Sequence, residues 1–404
     1  VHVVQQQGAP GAQAPAGAAR PAMAAGPGAI QRKPTDASTQ AVHDDLVEQY
    51  RAAMGYPPHG VDETGQQVGP TDAQIRFGGL LDAWLAANTP RTVPAPATAP
   101  TLVQPGQNNV TGICGSGAGQ PACLAHHTYV QNLLPQAVAN IRSVTSPYSA
   151  AVAAMYSAAL PATRTAGAPT PGGASARAVG GPVTVTFGGM THTFTSFTLE
   201  LYQNAGGNIG GLNGRASGAV GIELNETSAD AAYRNLAGLE ATMVHEAMHV
   251  LTDIVESRNT AARAGGTPVT NRNLDREEYA SVRTRLEPAL VPFIHQMRQL
   301  PGFANTRNAT PDASYAQVTA QVFLSETIAR VEAGIYARQR AGQSFGAADL
   351  RTLPPVSHFA PYWAPEPAVL RDRDTYLQAN AAQLDTTIEP LLLRAGEVYL
   401  ALRP

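Results

Sequence analysis

The sequence predicts an α+β protein whose C-terminal half is mostly helical and is reached through Ala/Pro/Gly-rich linkers. Three observations carry this. Between residues 182 and 225, β-branched and aromatic residues alternate with polar ones, the period of half-buried strands. After residue 236, apolar residues recur at three- and four-residue spacing over long stretches, the period of helices. Residues 8–40 and 90–120 are Ala, Pro and Gly-rich, with too little apolar surface to offset chain entropy.

From the N-terminus, the segment 8–40 reads as a disordered linker. In region 41–89, "DDLVEQYRAAM" and "TDAQIRFGGLLDAWLAAN" read as helices, the second opening with Thr71 and Gln74 in capping-box spacing. A second linker, 90–120, carries prolines at 90, 94, 96, 100 and 105 and is expected to be extended. The patterned domain, 121–404, starts with helices in "YVQNLLPQAVANIRSV" and "SAAVAAMYSAAL", the first kinked at Pro135. Strands follow in "PVTVTF", "THTFTSFTLELY" and "GAVGIELN", with a turn at Gly188 and Gly189. "GGNIGG" precedes a strand, not a helix, so it is a weak phosphate motif. Three long helices are expected at 237–264, around 275–298, and from Pro311, capped by Thr310, to Arg340 before Gly342.

A net charge of −3 with no run of Lys or Arg argues against nucleic acid as a partner. No window approaches 18 uninterrupted apolar residues, so no membrane-spanning helix is expected. "VHVVQQQGAP" lacks the layout of a signal peptide. Cys114 and Cys123 share a Gly-rich loop, where they form a local disulfide or remain thiols according to the compartment. His126 and His127 follow, but adjacent histidines point to different sides of an element and make a poor metal pair.

The chemistry lies in "ATMVHEAMHVLTDIVESR". His245 and His249, four apart on a helix, lie one turn apart on one face and can offer two imidazole nitrogens to one Zn²⁺. Glu246 stands beside them as a general base for a water molecule acidified by the ion. Random composition gives on the order of 0.01 such H-E-x-x-H matches in a chain like this one. Met243, Ala247, Val250 and Ile254 form the core stripe of the same helix. This helix resembles the zinc helix of the zincin metallopeptidases, which implies a third protein ligand; Asp253, Glu256, Glu277, Glu278, Glu326 and Glu332 are the carboxylate candidates for it. Asp253 and Glu256 stand too far along the motif helix, and Glu277 and Glu278 suit the helix dipole. Glu326 sits amid Val322, Phe323, Leu324, Ile328 and Ala329, where an unpaired carboxylate is costly and a metal would explain it; the plain alternative is a salt bridge to Arg330.

"GIELN" followed by "LEATMVHEAMHVL" resembles the zincin metallopeptidases over roughly residues 180–340. The resemblance implies an antiparallel edge strand over the zinc helix, with Ile222, Glu223 and Leu224 holding the substrate backbone by β-addition. The metzincin third histidine is absent, since Thr252 replaces the glycine and no histidine stands near Ser257, which implies a gluzincin-like carboxylate. "ETIARVEA" is similar to the glutamate helix of zinc peptidase families, which puts that ligand at Glu326. Such enzymes also use an oxyanion-stabilising group. Tyr336 is the choice because it follows Glu326 on one helix, ahead of His358, Tyr315 and Tyr279; His192 and His295 are read as structural.

"VHVVQQQ" at residues 1–7 resembles the end of the H-E-x-x-H-V-V-Q-Q segment in the core domain of bacterial extracellular contractile injection systems, with His2 as its second histidine. This implies that the chain begins inside a marker domain whose remainder lies upstream. It further implies a bacterial effector or toxin held in the cytoplasm, loaded into an injection-system particle and delivered outside the cell or into a target cell, with protein or peptide substrates. The rival expectation is a non-catalytic structural or adaptor component that keeps a zincin-like fold.

Overall fold

The computed structural model describes residues 72–104, 133–160, 165–166, 175–202, 212–214, 219–225, 236–303, 310–359, 362–363 and 370–404. The injection-system resemblance at 1–7, the linker 8–40, the helix expected from residue 44, the Thr71 cap, Cys114, Cys123, His126 and His127 lie outside them. Among the described residues no helix is long and apolar enough to cross a membrane.

The architecture is α+β. Helix α1 (Asp72–Ala87) is followed by α2 (133–143), α3 (Ser149–Ala159) and strands β1 (Thr165–Ala166) to β7 (Ala219–Asn225). Then come α4 (Leu236–Ala264), α5 (Ala280–Arg298), α6 (Asp312–Arg340), α7 (Leu370–Ala379), α8 (Ala381–Thr387) and α9 (Glu389–Leu402). The three long helices start within a few residues of where periodicity places them, but the expected Thr310 cap does not form: Pro311 is itself the residue before the first turn of α6, and no side chain caps that end. The last three helices were not anticipated.

β2 (Ser175–Gly180), β5 (Ser196–Tyr202) and β6 (Leu212–Gly214) join β1 and β7 in a five-stranded sheet of order β1-β2-β5-β7-β6. β3 (Val183–Phe187) and β4 (Met190–Phe194) form a separate antiparallel hairpin. Its two-residue turn takes Gly188 and Gly189 at φ 53° and 74°, a conformation other residues adopt at a cost. A Cβ at Gly188 would also lie 1.7 Å from Asn271 Oδ1. Thr184 and Thr186 pair with Thr193 and Thr191 across the hairpin at 2.9 and 3.2 Å.

Two expectations are corrected here. β7 is not an edge strand: it runs parallel to β5 on one side and antiparallel to β6 on the other. The short β6 covers β7 only from Val220 to Ile222, so Ile222 already has neighbours on both sides. Glu223 and Leu224 have no ladder partner on the β6 side among the described residues. The second correction concerns domain limits. Phe77, Leu81, Trp84 and Leu85 of α1 are buried in the same core as α2 to α6, and α1 packs on α5, so this helix belongs to the main body. The extended run after it is docked, with Val93 buried and bridged to Phe345 and Arg91 Nη1 donating to Arg403 O at 2.7 Å.

The core is built on α4 and α6, which lie against each other, with α5 on the far side of α6. Met243, Ala247, Val250 and Ile254 are buried, as the stripe requires. Tyr156 of α3 donates to Met243 O at 2.8 Å, and Asn140 of α2 donates to Glu240 Oε1 at 2.6 Å, so α4 is held from two sides. β6 and β7 rest on α4.

Candidate metal centre

Where α4 meets α6, His245, His249 and Glu326 come together, with one ligand atom from each within 4.8 Å of the others. Two spacings bring this about. Four residues put both imidazoles on one face of α4, and the apolar stripe of Phe323, Leu324, Ile328 and Ala329 buries α6 so that Glu326 faces them. The Nε2 atoms of His245 and His249 are 3.3 Å apart. Glu326 Oε2 lies 3.2 Å from His245 Nε2, and Oε1 lies 3.4 Å from His249 Nε2.

These separations suit a shared cation. Two ligands at the usual zinc distances, set at a tetrahedral angle, stand about 3.3 to 3.5 Å apart. Glu326 Oε2 is buried and forms no hydrogen bond of acceptable geometry, as expected of an oxygen facing an ion. Two imidazoles and one carboxylate are also a donor set that divalent transition metals accept.

Burial disfavours charge at all three groups, and their mutual contacts then divide them. Burial lowers the His245 pKa despite Glu326 beside it. At His249 burial also acts downward, but Glu326, by charge and hydrogen bond, outweighs it and raises the group to about 8. Burial pushes Glu326 upward, yet His249 and His245 hold it well below the usual carboxylate range. Glu246 is buried one residue after His245, and its charge helps raise His249.

Two further groups complete the centre. Ser325 Oγ lies 2.9 Å from His249 Nδ1, the ring nitrogen that faces away from the cluster. Tyr362 reaches Glu326; burial raises its pKa well above 10, and the Glu326 charge and hydrogen bond add to that. Neither was singled out from the sequence. Ser325 had the signal of adjacency to Glu326, whereas Tyr362, in "APYWAP", is brought in only by the chain's return.

The other candidates are engaged elsewhere. Tyr336 is corrected: ten residues past Glu326 is about 15 Å of helix rise, and its hydroxyl donates to buried Glu240 at 3.0 Å. Tyr279 donates to Asn273 O at 2.7 Å, His358 pairs with Asp385 at 2.7 Å, and Tyr315 lies under Arg298. Glu277 pairs with Arg283, Glu278 with Arg263 and Arg272, and Asp253 and Glu256 with Arg276. Glu332 is bound by Arg403, Ser146 and Tyr399. The Glu326–Arg330 ion pair does not form, since the carboxylate faces the histidines. His192 stacks edge-on against Phe194, and His295 pairs with Asp312 at 2.7 Å.

No protein-family model, curated protein or solved structure matches the chain.

Proposed function

We propose that the chain is a zinc-dependent metallopeptidase of gluzincin type, with His245, His249 and Glu326 as ligands. The observation that supports this most is the meeting of those three side chains, from two helices far apart in sequence, beside a buried Glu246. Three protein ligands are the number that hydrolytic zinc sites use, and a zinc ion supplies Lewis-acid polarisation of a carbonyl and a lowered pKa for water.

This chain's own groups do the rest. Glu246 takes the proton of the attacking water and returns it to the leaving amine nitrogen. Ser325 fixes His249 by accepting from Nδ1–H, which leaves the Nε2 lone pair directed into the cluster. Tyr362 steadies Glu326 and offers its hydroxyl to the oxygen that gains charge during attack. Backbone of the substrate lies along Glu223 and Leu224, the part of β7 that β6 leaves open. The delivery context, an effector carried by a contractile injection system, rests on the "VHVVQQQ" resemblance alone.

The test is Glu246→Gln in the zinc-supplied full chain, incubated with a proteome-derived peptide mixture and read by mass spectrometry for new termini. Wild type is expected to cut and the variant to cut about 10²- to 10⁴-fold more slowly at unchanged zinc content. Equal cutting by the two proteins, or none by wild type, would reject the reading.

A further inference from the structure

One turn beyond Glu326 on α6, Arg330 stands beside the cluster with an unusual set of neighbours. Its guanidinium lies over the rings of Phe359 and Tyr362, 5.5 and 5.7 Å from their centroids. Nη1 donates to Pro354 O at 2.9 Å, and Nη2 is 3.4 Å from the Tyr362 hydroxyl. Among the described residues no Asp or Glu forms an ion pair with it. Glu389, which lines the same recess, instead accepts from Ser357 Oγ at 2.7 Å.

A guanidinium held between two rings and one carbonyl is pre-organised, so little entropy is lost when its remaining N–H groups meet an acceptor. A planar fork is matched best by a planar carboxylate, in two parallel charge-assisted bonds. The side chain is partly exposed, and Leu353, Pro354 and Val356 give the recess beside it an apolar wall. The arrangement provides a cation, an aliphatic surface and a neighbouring reaction centre, without an internal anion at the guanidinium.

We propose that Arg330 recognises a carboxylate of the substrate next to the metal centre and so selects acidic peptides. This rests on the metallopeptidase reading for its purpose, though the binding itself does not require the metal. The carboxylate belongs either to an acidic side chain or to a free peptide C-terminus; both present the same two oxygens.

The test measures binding of three probes to the full chain, both zinc-supplied and chelator-treated: acetyl-Ala-Asp-amide, acetyl-Ala-Ala with a free C-terminus, and acetyl-Ala-Ala-amide. In the chelated protein at least one acid probe is expected to bind about tenfold more tightly than the neutral amide. Preference for the Asp probe marks a side-chain subsite, and preference for the free acid marks a C-terminal one. Arg330→Gln is expected to abolish the preference while retaining zinc. Independently of any variant, the preferred acid probe is expected to protect Arg330 of wild type from phenylglyoxal, and the amide is not. Equal binding of all three probes, a preference that survives in R330Q, or absence of protection would overturn the proposal. A chain that takes up no zinc yet shows the preference would instead sink the metallopeptidase reading and leave the carboxylate site standing.

Discussion

The hydroxyl of Ser325 lies 2.9 Å from His249 Nδ1, so the ring is held by its far nitrogen while Nε2 faces His245 and Glu326. Partners of this kind orient a ligand and raise its basicity, and their loss commonly weakens metal affinity 10- to 100-fold. Ser325→Ala is therefore expected to weaken zinc binding by about that factor, measured by competition with a chelating dye, with little change in thermal stability. An unchanged affinity would mean that packing alone orients the ring. Residues of this type show which parts of the centre the sequence can reveal. His245, Glu246 and His249 are legible because they share one helical turn, and Glu326 because a carboxylate amid apolar residues demands a partner. Tyr362 is not legible, since only the tertiary return of the chain brings it to Glu326. Tyr336 misleads because sharing a helix does not mean sharing a height along it.

At the scale of elements, α6 carries Glu326 and is anchored six residues further on, at Glu332. Glu332 accepts from Arg403 Nε and Nη2, both at 2.9 Å, from Tyr399 at 2.6 Å and from Ser146 at 2.9 Å. Both members of the ion pair are almost wholly buried. Burial lowers and Glu332 raises the Arg403 pKa, and Glu332 prevails. Arg403→Ala strands a buried carboxylate, which typically costs about 3 to 5 kcal/mol. The expected result is a clear fall in the urea midpoint, and a midpoint within error of wild type would show that water replaces the guanidinium. Periodicity located the long helices well, because a stripe such as Met243 to Ile254 must be buried for the helix to exist. It could not place β7 within the sheet. Alternation identifies a strand but says nothing of its neighbours, and the three-residue β6 that displaces β7 from the edge is too short for a pattern.

Over the whole molecule, one core joins α1, the sheet and the long helices, so the centre is set between α4 and α6 of a continuous body. The sequence suggested a boundary after residue 89 because prolines there exclude regular structure, but an extended strand can still dock, as Val93 does on Phe345. The buried centre also sets a pH dependence. A ligating imidazole must be neutral, and His249 by itself, raised to about 8, holds a proton below that value. Protons therefore compete with the ion as pH falls. Apparent zinc affinity is expected to weaken about tenfold per unit below pH 8 and to level off above it, with His245, whose pKa is lowered, adding a second proton only in more acid solution. Affinity that stays flat from pH 6 to 8 would contradict this. The most direct measurement is zinc bound per chain in the full-length protein and in Glu326→Ala, after both are supplied with metal and desalted. About one zinc in wild type and a sharp loss in the variant are expected from a three-ligand centre. No zinc in wild type, or as much in the variant, would contradict it.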